Sequence, residues 1–181
     1  DPNQSVHVVA FDDTIIIGVA GAIGKGRKAG VGMGADIAII DKKTFAYIEE
    51  GATVEALDDI SVIADSYQEV TTVAATIGLS KKRSFAGAAS IYLMDMDTRA
   101  FIGGASSTSP RATAMAGGNV TIEANSETEF PLILAGSLAG STGSTSIGAS
   151  AVVLLHTDRV TAYIGKNSVV DGKGAGGDST S

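Results

Sequence analysis

The chain lacks cysteine and tryptophan altogether and has two histidines and three prolines in 181 residues. Without cysteine there is neither a disulfide framework nor a thiolate metal site, a usage that fits exported bacterial proteins. Long apolar runs are missing too. None reaches the ~18 to 20 residues that a membrane helix needs, because Ile15 to Ile23 is broken by glycine and Gly148 to Leu155 is short. Positive charge is scarce, at 13 Lys and Arg against 20 Asp and Glu, and the net charge of -7 argues against a nucleic-acid partner. Asp1-Pro2 opens no charged-then-apolar leader, so any export signal is expected to lie outside these residues. An amphipathic helix is also lacking. The Ala/Gly-rich runs contain too many of the 23 glycines, each costing about 0.8 to 1 kcal/mol relative to Ala in a helix.

What the chain has in quantity is repetition. Ala35 to Ile48 recurs without gaps as Ala89 to Ile102 and Ala151 to Ile164, each copy ending in Ala-aromatic-Ile: Ala46-Tyr47-Ile48, Ala100-Phe101-Ile102 and Ala162-Tyr163-Ile164. A second element lies upstream of each copy, at Val6 to Ala10, Ile60 to Ala64 and Val120 to Ala124. A third follows at Ala52 to Ala56 and Ala112 to Ala116, with a fainter copy at Ser168-Val169-Val170. From the last Ala of the upstream element to the first Ala of the main one is 25, 25 and 27 residues, and the period is 54 residues and then 60. The six extra residues fall in Gly103 to Arg111. Residues 1–181 are therefore one repeat array, with approximate repeats 5–58, 59–118 and 119–175, each unit burying its face against its neighbours.

The units are expected to be strands. In Val6 to Ala10 and its copies the first, third and fifth residues are apolar, the period of a half-buried strand. The inward set is then Val6, Val8 and Ala10 with their equivalents Ile60, Val62, Ala64 and Val120, Ile122, Ala124. Asp12-Asp13, Asp65-Ser66 and Asn125-Ser126 read as polar corners, and the β-branched stretches Thr14 to Val19, Val70 to Ile77 and Phe130 to Leu134 as further strands. Turns are expected at Gly24 to Gly30, Leu79 to Ser84 and Ala139 to Ser146. The main element is expected to be two strands joined at the polar segments 41–43, 95–97 and 157–159. Its inward residues would be Ala35/Ile37/Ile39, Ala89/Ile91/Leu93 and Ala151/Val153/Leu155, with Ala46 and Ile48 also inward. That makes roughly five short strands per repeat. The fold class is all-β, with columns of like residues favouring a parallel β-solenoid (β-helix) and the short polar segments allowing an elongated antiparallel meander or sandwich instead.

The cycle of Ile60-Ser61-Val62-Ile63-Ala64, a Gly/Ala-rich run, Gly34 to Ile48 and Gly51-Ala52-Thr53-Val54-Glu55-Ala56 resembles the repeats of large filamentous adhesins of bacteria. These are the leukotoxin-like and haemagglutinin-like passengers exported by type V secretion. The resemblance runs from about Val6 to Asp171. It implies an extracellular or cell-surface β-solenoid stalk with no cofactor and no catalytic residues.

The residues themselves offer little chemistry. Gly21 to Gly26 lacks the Lys-Ser/Thr ending of a phosphate loop. Gly172 to Asp178 resembles one calcium-binding nonapeptide, a site that needs stacked copies. His7 and His156 have no second ligand in register, and Asn119-Val120-Thr121 places its Val in an inward column. The carboxylate pairs Asp12-Asp13, Asp58-Asp59, Asp95/Asp97 and Glu127/Glu129 would be the acid and base of a polysaccharide-processing β-helix, but they read as solvated corners. The aromatic column Tyr47, Phe101 and Tyr163 falls opposite in phase to Ala46 and Ile48, so a glycan contact there is a minor alternative to packing.

One cluster stands out. Six of the 13 cationic residues, Lys25, Arg27, Lys28, Lys81, Lys82 and Arg83, lie in two loops that start 15 and 17 residues after Ala10 and Ala64. Stacked repeats would bring both to one corner as a basic patch for an anionic glycan. The third repeat has Ser141-Thr142-Gly143-Ser144 there instead. The expected function is a non-enzymatic stalk or adhesive segment of a bacterial surface adhesin that contacts a host or matrix glycan or protein. Neither a nucleic-acid partner nor membrane insertion of this segment is expected. The alternative is a self-assembling extracellular filament subunit associating end to end, because Gly176 to Thr180 aligns with Gly117 to Thr121, as if a further cycle were beginning.

Overall fold

The computed structural model describes residues 4–143 and 145–174. The aligned tail, Gly176 to Thr180, and most of the single nonapeptide-like stretch lie outside them. The described residues form nine strands and no helix: β1 (Val6–Gly26), β2 (Ala29–Ile48), β3 (Thr53–Ala56), β4 (Ile60–Ser80), β5 (Arg83–Ile102), β6 (Thr113–Ala116), β7 (Val120–Ser141), β8 (Thr145–Ile164) and β9 (Val169–Gly172). Three strands make one rung, two long and one short. Equivalent strands pair in parallel into sheets β1-β4-β7, β2-β5-β8 and β3-β6-β9. The fold is a parallel β-solenoid, and the antiparallel meander is excluded by the pairing itself. Each rung has three strands rather than five because the long ones run for 20 to 22 residues without a break.

The register explains the repeat lengths. Val6 pairs with Ile60 and Ala35 with Ala89, columns that the ungapped copies already define. In β7 the register slips between Glu69 and Thr71 of its neighbour, leaving Pro131 as an extra residue. Proline has no amide hydrogen for the ladder, and on β7, at the border of its sheet, it costs no second bond. That bulge, and a turn one residue longer after β7, account for the spacing of 27 instead of 25. The six further residues lie between β5 and β6, where 103–112 replace the shorter 49–52.

Two expectations fail together. The segments 41–43, 95–97 and 157–159 are not turns, and Asp12-Asp13, Asp65-Ser66 and Asn125-Ser126 are not corners; all are strand. In an unbroken strand the inward phase cannot change, so Ala46 and Ile48 inward force Ala35, Ile37 and Ile39 outward. The same holds for Ala89/Ile91/Leu93 and Ala151/Val153/Leu155. Polar residues remain in strand because those at odd positions, such as Asp41 and Lys43, face water, while even ones such as Lys42 and Gln68 find partners inside. Lys42 points inward and bonds Asp12 Oδ1 at 2.5 Å and Thr14 Oγ1 at 2.6 Å. Burial alone would raise the Asp12 carboxyl, but the Lys42 and Thr14 hydrogen bonds and the Lys42 charge outweigh it and hold it below 3.8. The stability this lowered value confers is present above the ordinary value and is lost as pH falls through the lowered one.

The interior is layered. At the base, where all three sheets meet, Ala46, Ile48, Ile60, Val62, Ala64, Ala100 and Ile102 form a dry core with Ala112 and Ala114; here the expected inward set Ile60, Val62, Ala64 is buried. Higher up, Val70, Tyr92, Met94 and Met96 form a second cluster. Above that the two long sheets approach so closely that in the first two rungs the inward residues, Asp36 aside, shrink to glycine, alanine, serine and threonine. A Cβ on Gly24 would overlap the Val31 carbonyl, and one on Gly78 the Phe85 carbonyl. The glycine-rich stretch is thus a backbone-to-backbone contact between sheets, and its large aliphatic residues point out.

Candidate functional site

The solenoid tapers to a tip at which each rung reverses direction. In the first rung β1 passes to β2 through Arg27-Lys28, in the second β4 passes to β5 through Lys81-Lys82, and in the third β7 passes to β8 through 142–144. The structure brings the six cationic residues singled out above to this one corner. Lys25 faces outward on β1 beside Leu79, Arg83 opens β5 beside Ala29, and the two turns lie one on the other, the Arg83 amide donating to the Lys28 carbonyl at 3.2 Å. All six are exposed, and none forms an ion pair among the described residues.

A cleft of about 510 Å³ runs between the turns, lined by Lys25, Gly26, Arg27, Leu79, Ser80 and Lys81 and closed by Thr142. No carboxylate lines it. Thr142 donates its amide to the Ser80 carbonyl at 3.3 Å and its hydroxyl to the Lys81 carbonyl at 3.4 Å, so the third turn sits directly on the second. The patch is two rungs deep with an uncharged third, a shape suited to a short anionic ligand. Ser144 lies outside the described residues.

Of the other candidates, Asp95 and Asp97 share the outer face of β5, and Glu127 and Glu129 that of β7. Asp12 and Asp13 face opposite sides of β1. Asp59 accepts the Asn119 amide at 2.7 Å, Asp97 holds Arg99, and Glu129 accepts the Tyr67 hydroxyl at 3.1 Å. His7 Nδ1 lies 2.6 Å from Ser61 Oγ, and His156 packs edge-on against Phe130. Gly21 to Gly26 is strand, not a phosphate loop. Among the described residues no three acidic or histidine side chains are grouped to hold a metal. Tyr47, Phe101 and Tyr163 stack outward, as their phase required, with centroids 5.0 Å apart and rings within 6° of parallel.

Sequence reasoning missed a half-buried polar group. Asp36 Oδ2 accepts hydrogen bonds from the Tyr92 hydroxyl at 2.7 Å and Thr72 Oγ1 at 2.5 Å, inside the stack and against Gly18. Burial, then the Asp36 hydrogen bond, pushes the Tyr92 phenol above its ordinary value. The signal was the even position of Asp36, in phase with Ala46 and Ile48. The group satisfies itself and opens to no cavity, so its work is to fix the spacing of the sheets.

No family model matches the chain, and neither a curated protein nor a solved structure matches it significantly.

Proposed function

We propose that the chain is a non-catalytic, load-carrying segment of an extracellular or cell-surface bacterial adhesin, a stalk whose basic corner contacts an anionic glycan. The observation that supports it is the column-for-column stacking of three rungs, with sheet β2-β5-β8 in unbroken register from Ala29 to Ile164. Such a ladder resists extension along the solenoid axis because its backbone bonds lie along that axis and those of all the strands in a rung share the load. It also adds length in fixed steps, three rungs giving roughly 14 Å at about 4.8 Å per rung. The resemblance to type V secreted passengers supplies the compartment. The engagement of Asp97 by Arg99, of Glu129 by Tyr67 and of Asp59 by the Asn119 amide is the reason to prefer a stalk to a glycan-cleaving β-helix.

Tandem fusions of one, two and four copies test this by small-angle scattering. The axial rise is about 14 Å per copy across strands roughly 69 Å long, so the maximum dimension should be about 70, 74 and 89 Å for one, two and four copies, whereas growth by a whole bead diameter per copy with a flexible profile would overturn the stalk. For the corner, changing Lys25, Arg27, Lys28, Lys81, Lys82 and Arg83 together to Ser should bring elution from an anionic-polysaccharide column to lower salt. The attraction is screened over a Debye length of about 10 Å at 0.1 M. Elution at the same salt would leave the corner a solubility feature.

A filament subunit is the second reading, favoured by the last rung. Ile48 and Ile102 are 4% and 0% exposed, but Ile164 in the same column is 54% exposed, although it too faces inward. Another rung laid on β8 would bury it, through either continued chain or a second molecule.

A further inference from the structure

The outer face of sheet β2-β5-β8 has the character of an interior. Along its middle strand the outward residues from the tip are Phe85, Gly87, Ala89, Ile91 and Leu93, and the flanking strands carry the same kind of residue in each column. Ala35 and Ala151 lie beside Ala89, and Ile39 and Leu155 beside Leu93. Small residues make a shallow trough of about 530 Å³ through Met33, Gly87, Ala89 and Ala151, walled by Phe85 on one side and Ile91 on the other. Charge lies only at the two ends of this belt. Above it stands Arg83 with the basic turns, and below it are Asp41 and Asp95.

We propose that this face pairs with the same face of a second copy, about a two-fold axis parallel to the solenoid axis. That axis reverses strand direction and keeps rung order. With Ala89 against Ala89 of the second copy, Ile91 enters the trough at Gly87, Phe85 meets Leu93, and Arg83 meets Asp95. The alternative two-fold, along the strands, would set basic tip against basic tip. The opposite broad face is a poorer partner, since the Pro131 bulge breaks the register of its third strand.

The belt is nine residues tall, about 30 Å, which also matches a bilayer core. However, β2 and β8 leave open strand edges that hydrocarbon does not tolerate, whereas water beside a protein pair does. Nine residues by three rungs give roughly 400 Å² per partner, about half that of a stable complex. Pairing of three-rung chains is therefore weak and strengthens with each rung added. It depends neither on the stalk reading nor on a glycan at the corner.

Light scattering of the full chain over a concentration series is the test. The mass should double, and Ala89→Glu, which sets two carboxylates together at the axis, should raise the midpoint by more than about tenfold. Arg83→Glu should weaken pairing and the double exchange Arg83→Glu/Asp95→Arg should restore it, with circular dichroism unchanged throughout. Three results would overturn the proposal: a monomer at every concentration, association indifferent to both Ala89→Glu and Arg83→Glu, or flotation of a monomer with phosphatidylcholine vesicles. Indifference would assign association to the strand edges, because Ala89 lies on a middle strand.

Discussion

Ile102→Asp is expected to unfold the chain, while Ile37→Asp is expected to melt close to the parent. Both replace an isoleucine of the same repeated element by a carboxylate, but Ile102 is fully buried in the base core and Ile37 is 63% exposed. An unpaired charge placed among Ile48, Ala100 and Ala112 keeps none of its hydration and gains no partner, a loss of more than about 4 kcal/mol. A domain of this size has roughly 5 to 15 kcal/mol in total. At position 37 the carboxylate stays in water, with at most about 0.5 kcal/mol lost, as for an ordinary surface change. Thermal melts followed by far-ultraviolet circular dichroism decide it. Equal melting temperatures would mean that the inward phase of the long strands is wrong.

The second large effect is expected where the sheets touch. Gly78 sits on β4, paired on one side with Gly24 and on the other with Ala139, so it cannot slide away from the facing sheet. A Cβ there overlaps the Phe85 carbonyl, which is backbone held in its own ladder and unable to rotate aside. Gly78→Val should therefore cost about 3 kcal/mol or more, at the upper end of overpacking. Gly136→Val is the control, because a Cβ on Gly136 meets nothing within 4 Å, and a β-branched residue suits a strand. It should be neutral or slightly stabilising. If urea midpoints fall equally for the two, glycine is present for chain freedom and not for close approach.

Both predictions turn on the feature least legible in the sequence. Val6 to Ala10 shows its phase openly, because polar His7, Ser61 and Thr121 mark the wet side. In Ala35 to Ile40 both faces are largely apolar, one toward the interior and the other toward the outer belt, so alternation carries no sign. Phase then has to be carried in from Ala46 and Ile48, across residues 41–43. Their polarity imitates a turn, but they have no glycine or proline to make one. The true reversals, at 27–28 and 81–82, are only two residues long and marked by charge. The basic corner and the aromatic column were legible because both depend on spacing between repeats, which the ungapped copies give directly. Asp36 was not, since a single carboxylate inside an apolar run has no repeat partner: Ser90 and Val152 occupy its column.

The parallel register also governs how the chain can fold. Every register pair of the long sheets joins residues at least 54 positions apart, as Val6 to Ile60, so one rung alone has no strand to pair with. Two must be present before any sheet exists, and closing loops of that length precedes the gain from pairing, which makes nucleation slow. Once β1 and β4, or β2 and β5, have met, each later rung docks on a finished edge that already dictates its register. Assembly then follows the order in which rungs become available, so a chain delivered from one end acquires its structure progressively from that end.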